Sequence, residues 1–337
     1  MKSAAEAMSV RKSLMSAGEA SALIQSGQRL LLAGDEKLLS QLPRGEWIGG
    51  TIPYFMSEEG GLKTQEKVQV AVLPESVTRV RVKFYEAAQM SRIPAEYPTN
   101  GFTYIVLPAF SEVHQTFAKD CSTWPGIFNR PLVGWVSGVS VQDIAEVAPK
   151  VFNGATGESS ISHAAVMHVD LPPQWYAQAN IVNIFQQGSG ATITFPKAGF
   201  EVTDCFVNGA KRLFSEYIAT EKINLQLPLV ANYMGAMVNA CFQKLEPTTG
   251  TVALYAPVFP DVEYKFANPV GDYEAAFCQE LERHNVKPVF TCNCILNYLY
   301  GNLEGKKTGS IVGPVTFGEI AYMLLNQTLV YLTLEKK

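Results

Sequence analysis

The sequence predicts a mixed α/β protein. Its sheets are flanked by helices and arranged in two domains built from an approximately repeated strand–linker–glycine-broken strand–strand unit. Three observations carry this. "RVRVKFY" at 79–85 alternates Val80, Val82 and Phe84 with Arg79, Arg81 and Lys83, the period of two expected of a strand with one wet face. "QQGSGAT" at 186–192 is a flexible Gly-Ser stretch between apolar segments and reads as a linker. One pattern also recurs three times. An apolar strand ("RLLLAG", "TYIVLPA", "PVFTCN") is followed by a glycine-broken strand ("EWIGGTIP", "PLVGWVSG", "SIVGPVTFG"). A further apolar strand ("VQVAV", "AAVMHV", "QTLVYLTL") completes it. The intervals vary, so this is no short-period solenoid. The linker divides the chain into domains 1–188 and 189–337.

The elements follow in order. Residues 12–32 read as a helix leading into a strand at Arg29–Ala33, and 47–53 as a strand whose glycines permit a bend or close backbone approach. Strands follow at 68–72 and 79–85, then a proline-containing loop at 89–101. Buried strands are expected at 102–110, 132–140, 164–171 and 180–185. Beyond the linker, "FEVTDCFVNG" is a strand entering an Asn208-Gly209 turn. Leu213 with Tyr217, and Phe214 with Ile218, have helical spacing. A strand at 251–259 precedes a helix at 272–284, with Asp272 as N-cap and Phe277, Leu281 and His284 on one face. Buried strands at 288–296 and 326–334 close the chain.

Of the 337 residues, 47% are hydrophobic and 17% charged, with a net charge of −4. That is ample material for packed cores. No basic cluster suggests nucleic acid, and no apolar run approaches the ~20 residues that cross a bilayer. The N-terminal segment has no compact apolar stretch before a small-residue cleavage site. The expectation is a cytoplasmic protein with its six cysteines reduced, no disulfide and no structural zinc.

The chemistry-bearing stretch is "GSIVGPVTFGEIA" at 309–321. Gly318 can bring backbone close to a ligand, Thr316 offers a hydroxyl and Glu319 a carboxylate. "TCNC" places Cys292 and Cys294 on the same side of a strand. Asn293 can both donate and accept. The expected ligand site is therefore Cys292, Asn293, Thr316, Gly318 and Glu319, in a crevice where the two strands end side by side. The alternative reading of the segment is a bulged strand with a structural carboxylate. A nucleophilic Cys292 or Ser137 would make the protein a hydrolase, but each lacks a visible base. "GWVSG" at 134–138 misplaces Ser137 for a nucleophile elbow. "GNLEGKKT" misses the spacing of a phosphate loop, and "GSGATI" lacks a third dinucleotide-binding glycine. His163 and His168, five apart on a strand, face opposite sides, so at most one enters any haem or metal pocket.

"NRPLVGWVSGV", "VFNGATGESSISHAAVMHV", "FEVTDCFVNGAKRLFSEYI", "KPVFTCNCILNYLYG" and "VGPVTFGEIAYMLLNQTLVYL" together resemble the FIST family (F-box and intracellular signal transduction), N-terminal then C-terminal domain, over most of 30–334. The resemblance implies a cytoplasmic sensory module for a small ligand such as an amino acid, working with a separate signalling protein and in some members binding haem. Where that family often carries an arginine after the strand cysteine, this chain has Ile295. The function expected from residues and resemblance together is non-catalytic binding of an amino acid or related amine-bearing metabolite in signal transduction, without cofactor. A haem-binding sensor and a protein-interaction scaffold are the other non-enzymatic alternatives.

Overall fold

A computed structural model describes residues 12–233, 235–246, 248–283, 288–309 and 311–337. His284 and the first eleven residues lie outside the described set, as does Ser310. The described chain is a mixed α/β structure dominated by strands, with helices on the flanks.

The threefold pattern in the sequence is a threefold pattern in space. The first unit runs β1 (Lys12–Met15), α1 (Ala17–Gln25), β2 (Leu30–Gly34), α2 (Glu36–Leu39), β3 (Trp47–Thr51), a hairpin of β4 (Tyr54–Ser57) and β5 (Gly60–Lys63), and β6 (Val68–Val72). The second runs β7 (Arg79–Tyr85), a 3₁₀ segment (Ala87–Glu96), β8 (Gly101–Pro108), α3 (Glu112–Asp120), β9 (Leu132–Ser137), a hairpin of β10 (Val151–Asn153) and β11 (Glu158–Ser160), and β12 (Ala164–Asp170). The third opens with β13 (Trp175–Val182). An inserted unit follows: β14 (Ile193–Thr194), β15 (Gly199–Val202), β16 (Asp204–Val207), β17 (Ala210–Leu213), α4 (Phe214–Thr220), β18 (Leu229–Tyr233), β19 (Ala236–Ala240), β20 (Phe242–Glu246), β21 (Thr251–Val258) and β22 (Tyr264–Phe266). The third unit then resumes with α5 (Tyr273–Arg283), β23 (Phe290–Cys294), α6 (Ile295–Tyr300), β24 (Gly313–Thr316), a hairpin of β25 (Glu319–Ala321) and β26 (Met323–Leu325), and β27 (Leu329–Lys336).

In each unit the central strand lies parallel to the glycine-broken strand: β2 to β3, β8 to β9, β23 to β24. On its other side it pairs antiparallel with the returning strand: β6, β12, β27. The first strand of the unit adds outside that one, as β1, β7 and β13. The hairpins are handed round in a ring. The second unit's β10 extends β3, the third unit's β25 extends β9, and the first unit's β4 extends β24. Each of the three six-stranded sheets built from the repeated units therefore belongs to two of them, while a fourth six-stranded sheet lies within the insertion.

The recurring glycines have one physical cause. A Cβ at Gly49, Gly134 or Gly313 would come within 2.8, 1.8 or 2.5 Å of the carbonyl oxygen of Leu32, Ile105 or Thr291 on the parallel neighbour. Opposite the same three glycines, on the borrowed hairpin, stand Phe152, Ile320 and Met56, all buried. Each unit thus removes a side chain where the next unit places a large one, and close packing forbids both.

The main core is common to all three units and includes Ile48, Trp135 and Cys292. The inserted unit has its own core around Phe195, Phe214 and Phe242. Its ends meet where Gln187 bridges to Ala267 and the Gly188 N–H donates to the Phe266 carbonyl. The sequence boundary at 188/189 thus marks the entry to an insertion. The chain returns after it, and β23 to β27 share sheets with strands that precede it.

Local differences from the sequence reading have local causes. The helix expected over 12–32 is a strand followed by a shorter helix. Ser16 and Glu19 form a capping box that sets its start, and Gly27 at φ +81° follows its end. Lys211 and Arg212 belong to a strand, so the helix there begins only at Phe214. Asp272 does accept from the Ala275 N–H at 2.9 Å, as a cap should. The proline-containing stretch at 89–101 holds 3₁₀ turns with Met90 and Ile93 buried. Among the described residues, no helix is long and apolar enough to cross a membrane.

Candidate functional site

The parallel pairing of β23 with β24 sets Asn293 beside Val315 and Cys294 beside Thr316. The five residues singled out in the sequence therefore do lie together. They sit in the core. Cys292, Asn293, Thr316 and Glu319 are all at most 3% exposed, and the described chain has five surface cavities whose walls include none of the five residues. Glu319 Oε2 accepts from the Thr328 N–H at 3.3 Å and its hydroxyl at 2.9 Å, while Thr316 Oγ1 lies 3.3 Å from Oε1. Burial pushes the Glu319 pKa up to about 8, with those hydrogen bonds and the Cys294 thiol pulling the other way.

A hydroxyl has one proton, yet Thr316 Oγ1 lies within 3.1–3.3 Å of three acceptors: the Asn293 and Gly318 carbonyls and Glu319. A protonated Glu319 resolves this by donating to Thr316, which then donates to a carbonyl. Such a carboxyl is neutral and gives an ammonium group nothing to pair with. Gly318 packs under the sheet, where a Cβ would lie 3.0 Å from Leu324 and 3.2 Å from Val136.

The other candidates are also occupied or buried. The Cys292 thiol donates to the Gly134 carbonyl at 3.4 Å, and burial raises its pKa well above the usual thiol range. Ser137 is fully buried and its hydroxyl has no partner. His168 uses both ring nitrogens, one on Thr103 Oγ1 at 2.9 Å and one on Tyr85 OH at 3.3 Å. His163 is held by Ser160 Oγ at 2.8 Å. No group of three or more His, Cys, Asp or Glu side chains placed to hold a metal occurs among the described residues.

A different place has the attributes of a site. Between α3 and the inserted unit lies a cleft of about 510 Å³. Its walls include Phe110, His114 and Lys119 on one side and Lys197, Phe200 and Tyr255 on the other. Ser111 caps α3 by accepting from the His114 N–H at 3.2 Å, and Val113 and Phe117 bury its inner face. His114, one residue from Val113, is turned to the edge of that face. The Phe110 N–H donates to its Nδ1 at 3.3 Å. Nε2 must then carry the proton, and it is buried with no partner. Burial alone pushes the imidazole pKa down to about 4, so the ring is neutral at pH 7. Lys119 Nζ lies 5.7 Å from the centre of the Phe200 ring, a cation–π distance. The His114 ring stands edge-on to Phe200, centroids 6.0 Å apart.

The sequence reading missed this cleft. The only local signal is His114 and Lys119 on one short amphipathic helix. Nothing in the chain connects them to residues some 80 and 140 positions later.

Against known protein families, the chain matches one model, described as a "Family of unknown function (DUF6976)", over residues 15–335. The chain belongs to that family. DUF6976 thus takes in all three units and the insertion, along with every motif that suggested FIST, and it replaces that assignment. The motifs mislead for a physical reason. Glycine-broken strands are what this repeated sheet needs at Gly134 and Gly313, and strand chemistry of that kind is not specific to one family. No curated protein and no solved structure matches this DUF6976 chain.

Proposed function

We propose that the protein is a non-catalytic binder of a small anionic molecule, held in the cleft between α3 and the inserted unit. The observation that carries this reading is the His114 Nε2–H. It is a buried donor with a set tautomer and no acceptor. Leaving such a donor unmet costs about 1–3 kcal/mol, and an acceptor atom on a ligand would recover it. Lys119 and Lys197 stand in the same walls, and the Lys119 ammonium lies over a ring face. A carboxylate is the kind of small group that supplies both an acceptor for the imidazole N–H and a negative charge for the lysines.

A binding role fits the site better than catalysis does. A general base or nucleophile needs a partner within hydrogen-bond reach. His114 Nδ1 is taken by a backbone N–H, and Cys292 and Ser137 are in the core, outside this cleft. The amine-bearing ligand expected from Glu319 gives way to an acid, because Glu319 is sealed and neutral while the open cleft is cationic.

Thermal denaturation with a panel of small anions tests the reading. A ligand at 100 times its dissociation constant adds about 2.7 kcal/mol, several degrees for a chain of this size. At least one carboxylate should raise Tm, and the Lys119→Ala/Lys197→Ala double variant should lose the shift while melting normally alone. If no anion shifts Tm, or the shift survives the double variant, the reading is wrong.

A further inference from the structure

We infer that the anion this cleft takes is a monoanionic aromatic acid, a flat ring bearing one carboxylate, and not an aliphatic acid or a phosphate ester. The inference rests on the binding reading above and adds the ligand class to it. Three features of the walls point to a ring.

The first is Phe110. It adopts φ +65°, a left-handed conformation that costs a non-glycine residue about 1–2 kcal/mol. The residue is nonetheless 49% exposed at the cleft, and backbone strain of this kind clusters at functional sites. Its ring makes an edge contact with Phe317, centroids 6.3 Å apart. The fold thus spends conformational energy to keep an aromatic face in the opening, where a second ring could cover it.

The second is the Phe200 ring across the cleft, with the Lys119 ammonium and the His114 imidazole both against it. The two groups that would grip a carboxylate are therefore set within one ring's width of an aromatic surface. A ligand whose carboxylate is attached directly to a flat ring brings its charge and its aromatic face to this surface together. Aromatic pairs add about 0.5–1.5 kcal/mol beyond their buried area, which a saturated ring of the same size does not gain.

The third is charge. Lys119 and Lys197 supply two positive charges, and Glu201, also in the wall, removes one. The remaining single charge matches one carboxylate and is a poor match for a doubly charged phosphate monoester. Glu201 can also accept from an amino or hydroxyl substituent on the ring.

Isothermal titration at pH 7 with benzoate, cyclohexanecarboxylate, acetate, benzyl alcohol and phenyl phosphate tests the class. Benzoate should bind at least tenfold more tightly than cyclohexanecarboxylate and acetate, benzyl alcohol should not bind, and phenyl phosphate should be weaker than benzoate. Phe200→Leu should cut the benzoate preference over cyclohexanecarboxylate to below threefold. Phe110→Leu, at a half-exposed position, provides the same comparison if Phe200→Leu melts early. Equal affinity for the two six-membered-ring acids would overturn the aromatic class and leave the anion-binding reading standing. Tighter binding of phenyl phosphate would overturn the monoanion. Binding by none of the five would overturn both together.

Discussion

Glu319 and Thr328 form a closed pair in the core: the threonine hydroxyl donates to Oε2 at 2.9 Å and its backbone N–H to the same oxygen at 3.3 Å, with both residues fully buried. Strand pairing shows how unusual the carboxyl is. Glu319 lies opposite Trp135 on β9, next to the Ile320–Gly134 pair. The matching positions on the other two borrowed hairpins are Val151, opposite Gly50, and Phe55, opposite Pro314. Two of the three units fill this position with an apolar side chain, and the third uses a carboxyl with no cation paired to it among the described residues.

Because the Glu319 pKa is raised to about 8, the folded protein holds a proton that the unfolded chain gives up near the ordinary carboxylate pKa. Between pH 4.5 and 8 the native state binds more protons, so this residue makes stability fall as pH rises. Glu319→Gln imitates the protonated form. It should match wild type near pH 4.5 and exceed it at pH 8, the gap growing by about 1.4 kcal/mol per unit in between. Urea unfolding at both pH values measures this. A variant destabilised equally at all pH values would show that the ionised carboxylate is the structural form.

His114 and His168 act in the opposite direction. Burial is the first cause for both and lowers each to about 4. The unfolded chain takes up their protons below about pH 6.5 while the native state does not, so each reduces stability as pH falls from 6.5 toward 4. Imidazole NMR signals at pH 5.5 should show both rings neutral, His114 as the Nε2–H tautomer. A protonated His114 at that pH would remove the set donor on which the cleft reading depends.

Gly134 should tolerate no side chain. Its added Cβ would lie 1.8 Å from the Ile105 carbonyl oxygen, which is backbone and cannot swing away. Gly134→Ala is expected to cost about 3 kcal/mol or more, above the usual overpacking range, with a large fall in Tm or no soluble protein. Gly190→Ala, where a Cβ meets nothing within 4 Å, is the control and should melt like wild type. Similar melting of both variants would refute the repeated close approach.

All six cysteines are free thiols in the fold, and Cys278 alone is not buried. A thiol reagent should label one site rapidly in the native protein and all six after denaturation without reductant. A second fast-reacting thiol would mean that the core around Cys241, Cys292 and Cys294 opens readily.

By itself the sequence determined the repeated unit. "RLLLAG", "TYIVLPA" and "PVFTCN" are the three central strands, and the glycine-broken strands beside them were visible because a backbone clash leaves only glycine at 49, 134 and 313. Such constraints are local and recur at the same step of each unit, so they survive in a linear reading. The meeting of Asn293 with Thr316, whose hydroxyl lies 3.3 Å from the Asn293 carbonyl oxygen, was also legible, since both stand at or next to the ends of strands of one unit. Tertiary structure decided the rest. Whether a polar cluster opens to solvent depends on what covers it, and the cover over Glu319 comes from β9 and the segment at 326–328. The ring of exchanged hairpins follows from pairings between units, for which the strands' own period of two is equally compatible with several neighbours. The cleft has the same origin. Its far wall, at 197–201 and β21, stands across from His114 and α3, and residues so distant in the chain leave no mark on the sequence around position 114.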